Sequence, residues 1–149
     1  MSYRMTQAER EHFLADMRVG IISITDEGRG PLAVPVWYGY EPGGTIAVWM
    51  SKTSRKADLL QRTGRFSLCV QTEQTPYRYV SVEGPIVAIE PVDLERDARP
   101  IARRYLGVEA GDAYVATTTD TITRGEDVVF RMRPERWLTA DYSRQSDDQ

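Results

Sequence analysis

Thr45-Ile46-Ala47-Val48-Trp49-Met50 and the residues that follow it, Ser51-Lys52-Thr53-Ser54-Arg55-Lys56, join a strand pattern to a helix pattern. The first half alternates in the strand period, with Ile46, Val48 and Met50 opposing Ala47, Trp49 and Ser51. A helical pattern runs over about 55–63, which puts Ser54 at its N-cap. A helix start favours acidic residues, yet Arg55 and Lys56 occupy this first turn. Of 19 basic residues all but Lys52 and Lys56 are arginine, so both lysines of the chain fall in one turn. A solvated helix start is the ordinary fate of a short basic cluster. The coincidence of hydroxyls, free backbone N–H groups and cations favours a seat for an anionic group such as a phosphate.

Upstream of this junction, Thr6-Gln7-Ala8-Glu9 fits a capping box, with Ala8, Phe13, Leu14 and Met17 on one side of a helix ending near Arg18. Residues 19–25 and 32–40 read as strands joined by turn chemistry at 26–31, and Glu41-Pro42-Gly43-Gly44 turns the chain into the strand at 45–50. The second strand repeats the split of the third. Leu32, Val34, Val36, Tyr38 and Tyr40 face one way, and Ala33, Pro35, Trp37 and Gly39 the other. Trp37 and Trp49 among small residues can line a shallow slot beside the anion seat, although core or interface is the commoner fate of a tryptophan. Pro35 withholds a ladder donor and predicts an edge or interruption there.

Downstream, residues 66–72 form a fourth strand and 73–78 a polar and aromatic connection. Residues 79–90 form a long fifth strand, bent at Gly84-Pro85. Asp93 caps a helix through about Tyr105, a short helix covers 109–116, and 117–124 reads as a loop. A final strand spans 128–139 with an interruption near Pro134. The pattern is α+β: a barrel of about six mainly antiparallel strands with a few covering helices.

The composition sets limits. With 149 residues, 41% of them hydrophobic, the chain makes one domain over residues 1–142 and a flexible polar tail at 143–149. A net charge of −3 argues against nucleic-acid or membrane-surface binding. The single cysteine, Cys69, excludes a disulfide framework or a multi-cysteine metal site and reads as core. No apolar run is long enough to span a bilayer and no signal-like segment follows Met1, so the expected location is cytoplasmic. His12 has no evident partner, and no Ser-His-Asp or Cys-His arrangement is visible. Pro42-Gly43-Gly44 lacks the spacing of a dinucleotide or P-loop motif.

The order of four motifs resembles the pyridoxamine 5′-phosphate oxidase-like split β-barrel family of flavin and deazaflavin oxidoreductases. The motifs are Pro35-Val36-Trp37-Tyr38, Ser54-Arg55-Lys56, Arg65-Phe66-Ser67-Leu68 and Tyr77-Arg78-Tyr79-Val80-Ser81-Val82-Glu83-Gly84, and the resemblance covers about residues 6–140. It implies a cofactor phosphate at Ser54, Arg55 and Lys56 and a ring system along Pro35, Val36, Trp37, Trp49, Met50 and Ser51. It also implies a homodimer with cofactor sites at the subunit interface, where Tyr77, Arg78 and Tyr79 approach the partner's cofactor, and it sets Trp137 near the site. The arginine and the basic C-terminal segment that grip substrate phosphate in the vitamin B6 oxidases are absent. Val34 or Pro35 stands at the first position, and the chain runs Arg136-Trp137-Leu138-Thr139-Ala140-Asp141. The chain is more similar to the branch that uses coenzyme F-420, a deazaflavin, than to those oxidases. FMN stays open as the cofactor, since both carry a ribityl phosphate. The implied reaction is hydride transfer between cofactor and a small hydrophobic or unsaturated substrate. No residue is assigned a catalytic role; Tyr77, Arg78, Tyr79 and water remain open as proton donors. The alternatives are a non-catalytic binder of flavin, haem or pyridoxal phosphate, and a plain dimeric interaction module.

Overall fold

The computed structural model describes residues 2–16 and 18–144. Met17, expected on the apolar side of the first helix, and residues 145–149 of the tail lie outside the described residues. The elements are α1 (Gln7–Ala15), β1 (Gly20–Ile24), β2 (Leu32–Val36), β3 (Tyr38–Tyr40), β4 (Ile46–Ser51), α2 (Arg55–Thr63), β5 (Arg65–Gln71) and β6 (Arg78–Pro91). A π-helical turn (Leu94–Ala98), α3 (Arg99–Leu106), α4 (Val108–Thr123), β7 (Asp127–Met132) and β8 (Arg136–Asp141) complete the chain.

All strand pairings are antiparallel, in the order β2-β1-β5-β6-β7-β4-β3, with β8 added to β6. The strands curl into a split β-barrel of the α+β class. The two ends of this path, β2 and β3, are joined in the chain by Trp37 alone. Eight strands stand where about six are expected, because two expected strands are each broken once. The strand at 32–40 breaks at Trp37, where Tyr105 takes over the backbone: its hydroxyl accepts from the Tyr38 N–H at 3.1 Å. The strand at 128–139 breaks at 133–135, yet β7 and β8 run end to end along β6, from Pro91↔Val128 to Arg78↔Asp141. Pro35 sits on β2, the terminal strand of the path, as its missing donor requires.

β6 bends as expected. Its first half pairs with β5 and β8, its second half with β7, and the register shifts between Ile86 and Ala88. Gly84 stands at this crossing because a Cβ there would come within 1.8 Å of the Arg133 carbonyl oxygen.

The inward faces of the strands, with Phe13 and Leu14 of α1 and Ala57, Leu59 and Leu60 of α2, form the main core around Tyr38, Leu68, Val80 and Phe130. A second cluster on the outer face of β4 and β7 joins Ala47 and Val129 to Ala98, Ala102, Val115 and Ile122 under α3 and α4. Trp49 packs against this second cluster.

Three expectations are corrected. The first helix ends at Ala15, short of 18, because its last carbonyls have other partners and Asp16 is extended. The Tyr38 hydroxyl donates to the Leu14 carbonyl (2.6 Å), and the Arg104 guanidinium donates to those of Leu14 (3.0 Å) and Asp16 (2.7 Å). Residues 117–123 are helix and not loop. The hydroxyls of Thr117, Thr118, Thr119 and Thr121 donate to carbonyls three or four residues back, and Val115 and Ile122 bury one face. Cys69 is half-buried on the outer face of β5, because Phe66, Leu68 and Val70 take the inward positions. Among the described residues no helix is long and apolar enough to cross a membrane.

Candidate functional site

α2 begins where its sequence predicts. The Ser54 side-chain oxygen accepts from the Ala57 N–H at 3.1 Å and caps the helix. The approach from β4 is held tightly: the Lys52 N–H donates to the Glu126 carbonyl, the Ser54 N–H to that of Ser51, and the Ser51 and Thr53 hydroxyls lie 3.1 Å apart. Arg55 and Lys56 part company here. Arg55 forms an ion pair with Asp26 in the β1–β2 turn. Lys56 makes no ion pair and no side-chain hydrogen bond among the described residues, and its side chain borders a cavity.

That cavity, of about 350 Å³, brings together Pro35, Val36, Trp37, Trp49, Met50, Ser51 and Lys56. Val36 and Met50 turn their side chains to the main core, so they present mainly their backbone. The aromatic wall is fixed by its own contacts. Trp37 stacks on Tyr105, with centroids 5.0 Å apart and an angle of 8°. Tyr114 tilts against Trp37 at 5.4 Å and meets Trp49 edge-on at 6.0 Å. Burial pushes the Tyr105 phenol pKa up and keeps it protonated, so its hydroxyl donates to the Arg18 carbonyl at 2.6 Å while accepting from Tyr38. The Trp49 indole N–H donates to Asp127 Oδ2 at 2.9 Å.

Three lining residues carry no sequence signal of their role: Tyr114 and Thr118 on α4, and Asp127 at the start of β7. Asp127 reaches the slot because it pairs in register with Ser51, a pairing between segments far apart in the chain. α4 reaches it through α3. Gly111 lets the two helices touch, since a Cβ there would lie 2.8 Å from Arg103 backbone atoms. Asp112 accepts from Arg99 at 2.8 Å and from Arg103 at 2.8 and 2.9 Å. These two guanidinium contacts, Arg103 foremost, lower the Asp112 carboxyl pKa to about 2.

Tyr77, Arg78 and Tyr79 do not border this cavity. Arg78 and Tyr79 open β6 with Tyr77 just before it, and Arg78 lines a separate polar cavity with Arg18 and the loop from Gln71 to Pro76. Trp137 also stands apart: it is in register with Val82, packs against the main core and lies under the Arg10 guanidinium at 4.6 Å. Among the described residues no cluster of three or more histidine, cysteine or acidic side chains is placed to hold a metal ion.

Trp37, Trp49 and a Tyr114 ring set at 56° and 76° to them, with the unpaired Lys56 from the first turn of α2, line one slot that fits a ring with an anionic tail, whereas Ser54 and Arg55 do not line it. A family model for pyridoxamine 5′-phosphate oxidase matches residues 6–139, and the chain belongs to that family. No curated protein matches it. Among solved structures it is similar to the conserved hypothetical protein Rv2991 of Mycobacterium tuberculosis, at 22% identity and a TM-score of 0.77 over 97% of this chain and 90% of that one. An F420 reductase aligns at 16% identity and a TM-score of 0.60, over 86% of this chain and 94% of that one. An FAD-binding protein of Mesorhizobium loti aligns at 18% identity and a TM-score of 0.60, over 91% and 94%. Likeness at these identities is likeness of fold.

Proposed function

We propose that the chain binds a planar redox cofactor with a ribityl phosphate, FMN or the deazaflavin coenzyme F-420, for oxidoreduction of a small hydrophobic or unsaturated organic molecule. The observation that carries this reading is Lys56. It is a cation with no acidic partner among the described residues, at a helix N-terminus, bordering the cavity walled by Trp37, Trp49 and Tyr114. Family membership and structural neighbours that include an F420 reductase and an FAD-binding protein support it. When bound, such a ring supplies the hydride chemistry. The chain's part is placement. Lys56 and the free N–H groups at the start of α2 hold the anionic end, and the tryptophans and Tyr114 cover the flat part and keep water out.

We also propose a homodimer. One cross-strand row on the outer face of the barrel runs Pro35, Ile21, Cys69, Ser81, Leu138, with Ile21 40% and Leu138 65% exposed. This small and apolar row begins at Pro35, itself a slot residue. Two copies packed on it would set the Tyr77, Arg78 and Tyr79 segment of one near the slot of the other.

A second reading, a non-catalytic carrier of flavin, haem or pyridoxal phosphate, draws on the size of the slot. With Tyr105 stacked on Trp37, about 350 Å³ lies at the low end for ligand pockets and suits one ring system. The test is titration with FMN and with F-420, followed by tryptophan fluorescence, then turnover of the reduced cofactor with unsaturated substrates. Binding with turnover supports the oxidoreductase. Binding without turnover selects the carrier; no binding of either overturns the oxidoreductase, and the carrier falls with it when haem and pyridoxal phosphate, titrated in the same way, do not bind either.

A further inference from the structure

We propose that Asp127 is the acceptor for the hydroxylated chain between the ring and the phosphate of the bound cofactor, a role that rests on the cofactor reading above. The carboxylate lines the slot, half-buried, at the first position of β7. Its Oδ2 accepts from the Trp49 indole N–H at 2.9 Å and from the Thr121 hydroxyl at 3.4 Å. Its Oδ1 accepts nothing among the described residues and is not sealed from solvent. An ionised carboxylate offers about four acceptor positions, so half of its capacity, that of Oδ1, is not used by the described residues.

The order of groups along the slot decides what fills that capacity. The aromatic wall of Trp37, Trp49 and Tyr114 is the place for a ring. Lys56 and the start of α2 are the place for the phosphate. Asp127 is bonded to Trp49 on one side and paired in register with Ser51 on the other, so it stands between the two. A phosphate so close to a carboxylate would be repelled, and a bare ring face offers no donor. A chain of hydroxyls offers several, and the Ser51 and Thr118 hydroxyls border the same stretch. Binding in this arrangement is polarity-reading: an anion at one end, donors in the middle, an apolar plane at the other end.

A purely structural role, holding Trp49 in place, makes a different prediction, and a ligand cycle separates the two. Wild type and Asp127→Asn are titrated by tryptophan fluorescence with FMN and 5-deaza-FMN. Each is compared with a counterpart whose phosphate is carried on a plain alkyl chain without hydroxyls. Losing a hydrogen bond to a charged acceptor reduces affinity by about tenfold to a hundredfold. That loss is expected for the hydroxylated ligands and not for the alkyl ones. Removing the negative charge acts on both kinds of ligand alike, so the ratio isolates the hydroxyl contact. Asp127→Glu, which keeps the charge and displaces the oxygens, serves should the asparagine variant not fold, with the same selective loss expected. Equal losses for both kinds of ligand, or none, overturn the role of Asp127 and leave the cofactor reading standing. If wild type binds none of the four ligands and does not bind F-420, the cofactor reading falls and this role falls with it. If it binds F-420 but none of the four, wild type and Asp127→Asn are compared with F-420, whose ribityl chain carries the same hydroxyls, and an unchanged affinity overturns the role of Asp127 alone.

Discussion

Arg55 and Lys56 are neighbours on α2, and the structure gives them different work. Asp26 already holds Arg55, and nothing among the described residues holds Lys56. Lys56→Ala should therefore weaken FMN or F-420 binding by about tenfold to a hundredfold, the size of a charge-assisted contact. Arg55→Ala should cost less affinity, because its charge is partly neutralised before any ligand arrives. Thermal melts of both variants should stay near wild type, since neither side chain belongs to the core; a Lys56→Ala protein with unchanged affinity would sink the anion seat. Sequence alone set Ser54, Arg55 and Lys56 beside Trp49 and Ser51, because all of them lie on one short stretch. It gave no means of telling the two cations apart, since Asp26 is brought to Arg55 by the β1–β2 turn. Asp127 was hidden for the same kind of reason: strand register, not local pattern, sets it opposite Ser51.

At the scale of elements, α4 is the wall of the slot that depends most on tertiary contacts. Its threonine-rich half reads as a loop in isolation, and it is helical because one face is buried on α3 and β7, while the threonine hydroxyls are satisfied by carbonyls three or four residues back. The Asp112 clamp ties it down. The folded-state pKa of about 2 lies below the ordinary aspartate value of about 3.9, so the clamp's stabilisation is complete above about pH 4 and is lost as pH falls toward 2. Carbon-detected NMR titration should find the Asp112 midpoint near 2 and see it rise toward the ordinary value in Arg103→Ala. A midpoint near 3.9 in wild type would mean that the clamp does not hold in solution. The bend in β6 makes a sharper demand. Gly84→Ala drives a methyl group into the Arg133 carbonyl and should destabilise the fold by about 3 kcal/mol, read as a lowered denaturant midpoint. A melt within error of wild type would show that β6 and the 133–135 interruption can separate at no cost.

For the molecule as a whole, the alternation of apolar and small residues sorted inside from outside on β2, β3 and β4, whereas Cys69 of β5, read as core, faces outward. Leu32 to Tyr40 and Ile46 to Met50 face the core as their pattern predicts, and Trp37 and Trp49 face away. What the pattern could not reveal is closure, because which strands meet is a matter of long-range pairing. The row from Pro35 to Leu138 exists only once β2, β1, β5, β6 and β8 lie side by side. If that row is the homodimer face, Leu138→Arg should yield monomers in sedimentation velocity and lower cofactor affinity at the same time. A wild-type protein that sediments as a monomer, or a dimer indifferent to the substitution, would place the subunit contact elsewhere.

The single-residue link at Trp37 has a consequence for how this chain can change length. Turns such as 26–31 or 41–44 lie on exposed surface and can gain or lose residues locally. Between Val36 and Tyr38 the alternation runs unbroken from one end of the strand path to the other. One inserted or deleted residue there would turn either β2 or β3 inside out, exchanging its core face for its ligand face. The circumference of the barrel and the orientation of the indole in the slot are thus specified by the same peptide unit, and an indel at that point rewrites both at once.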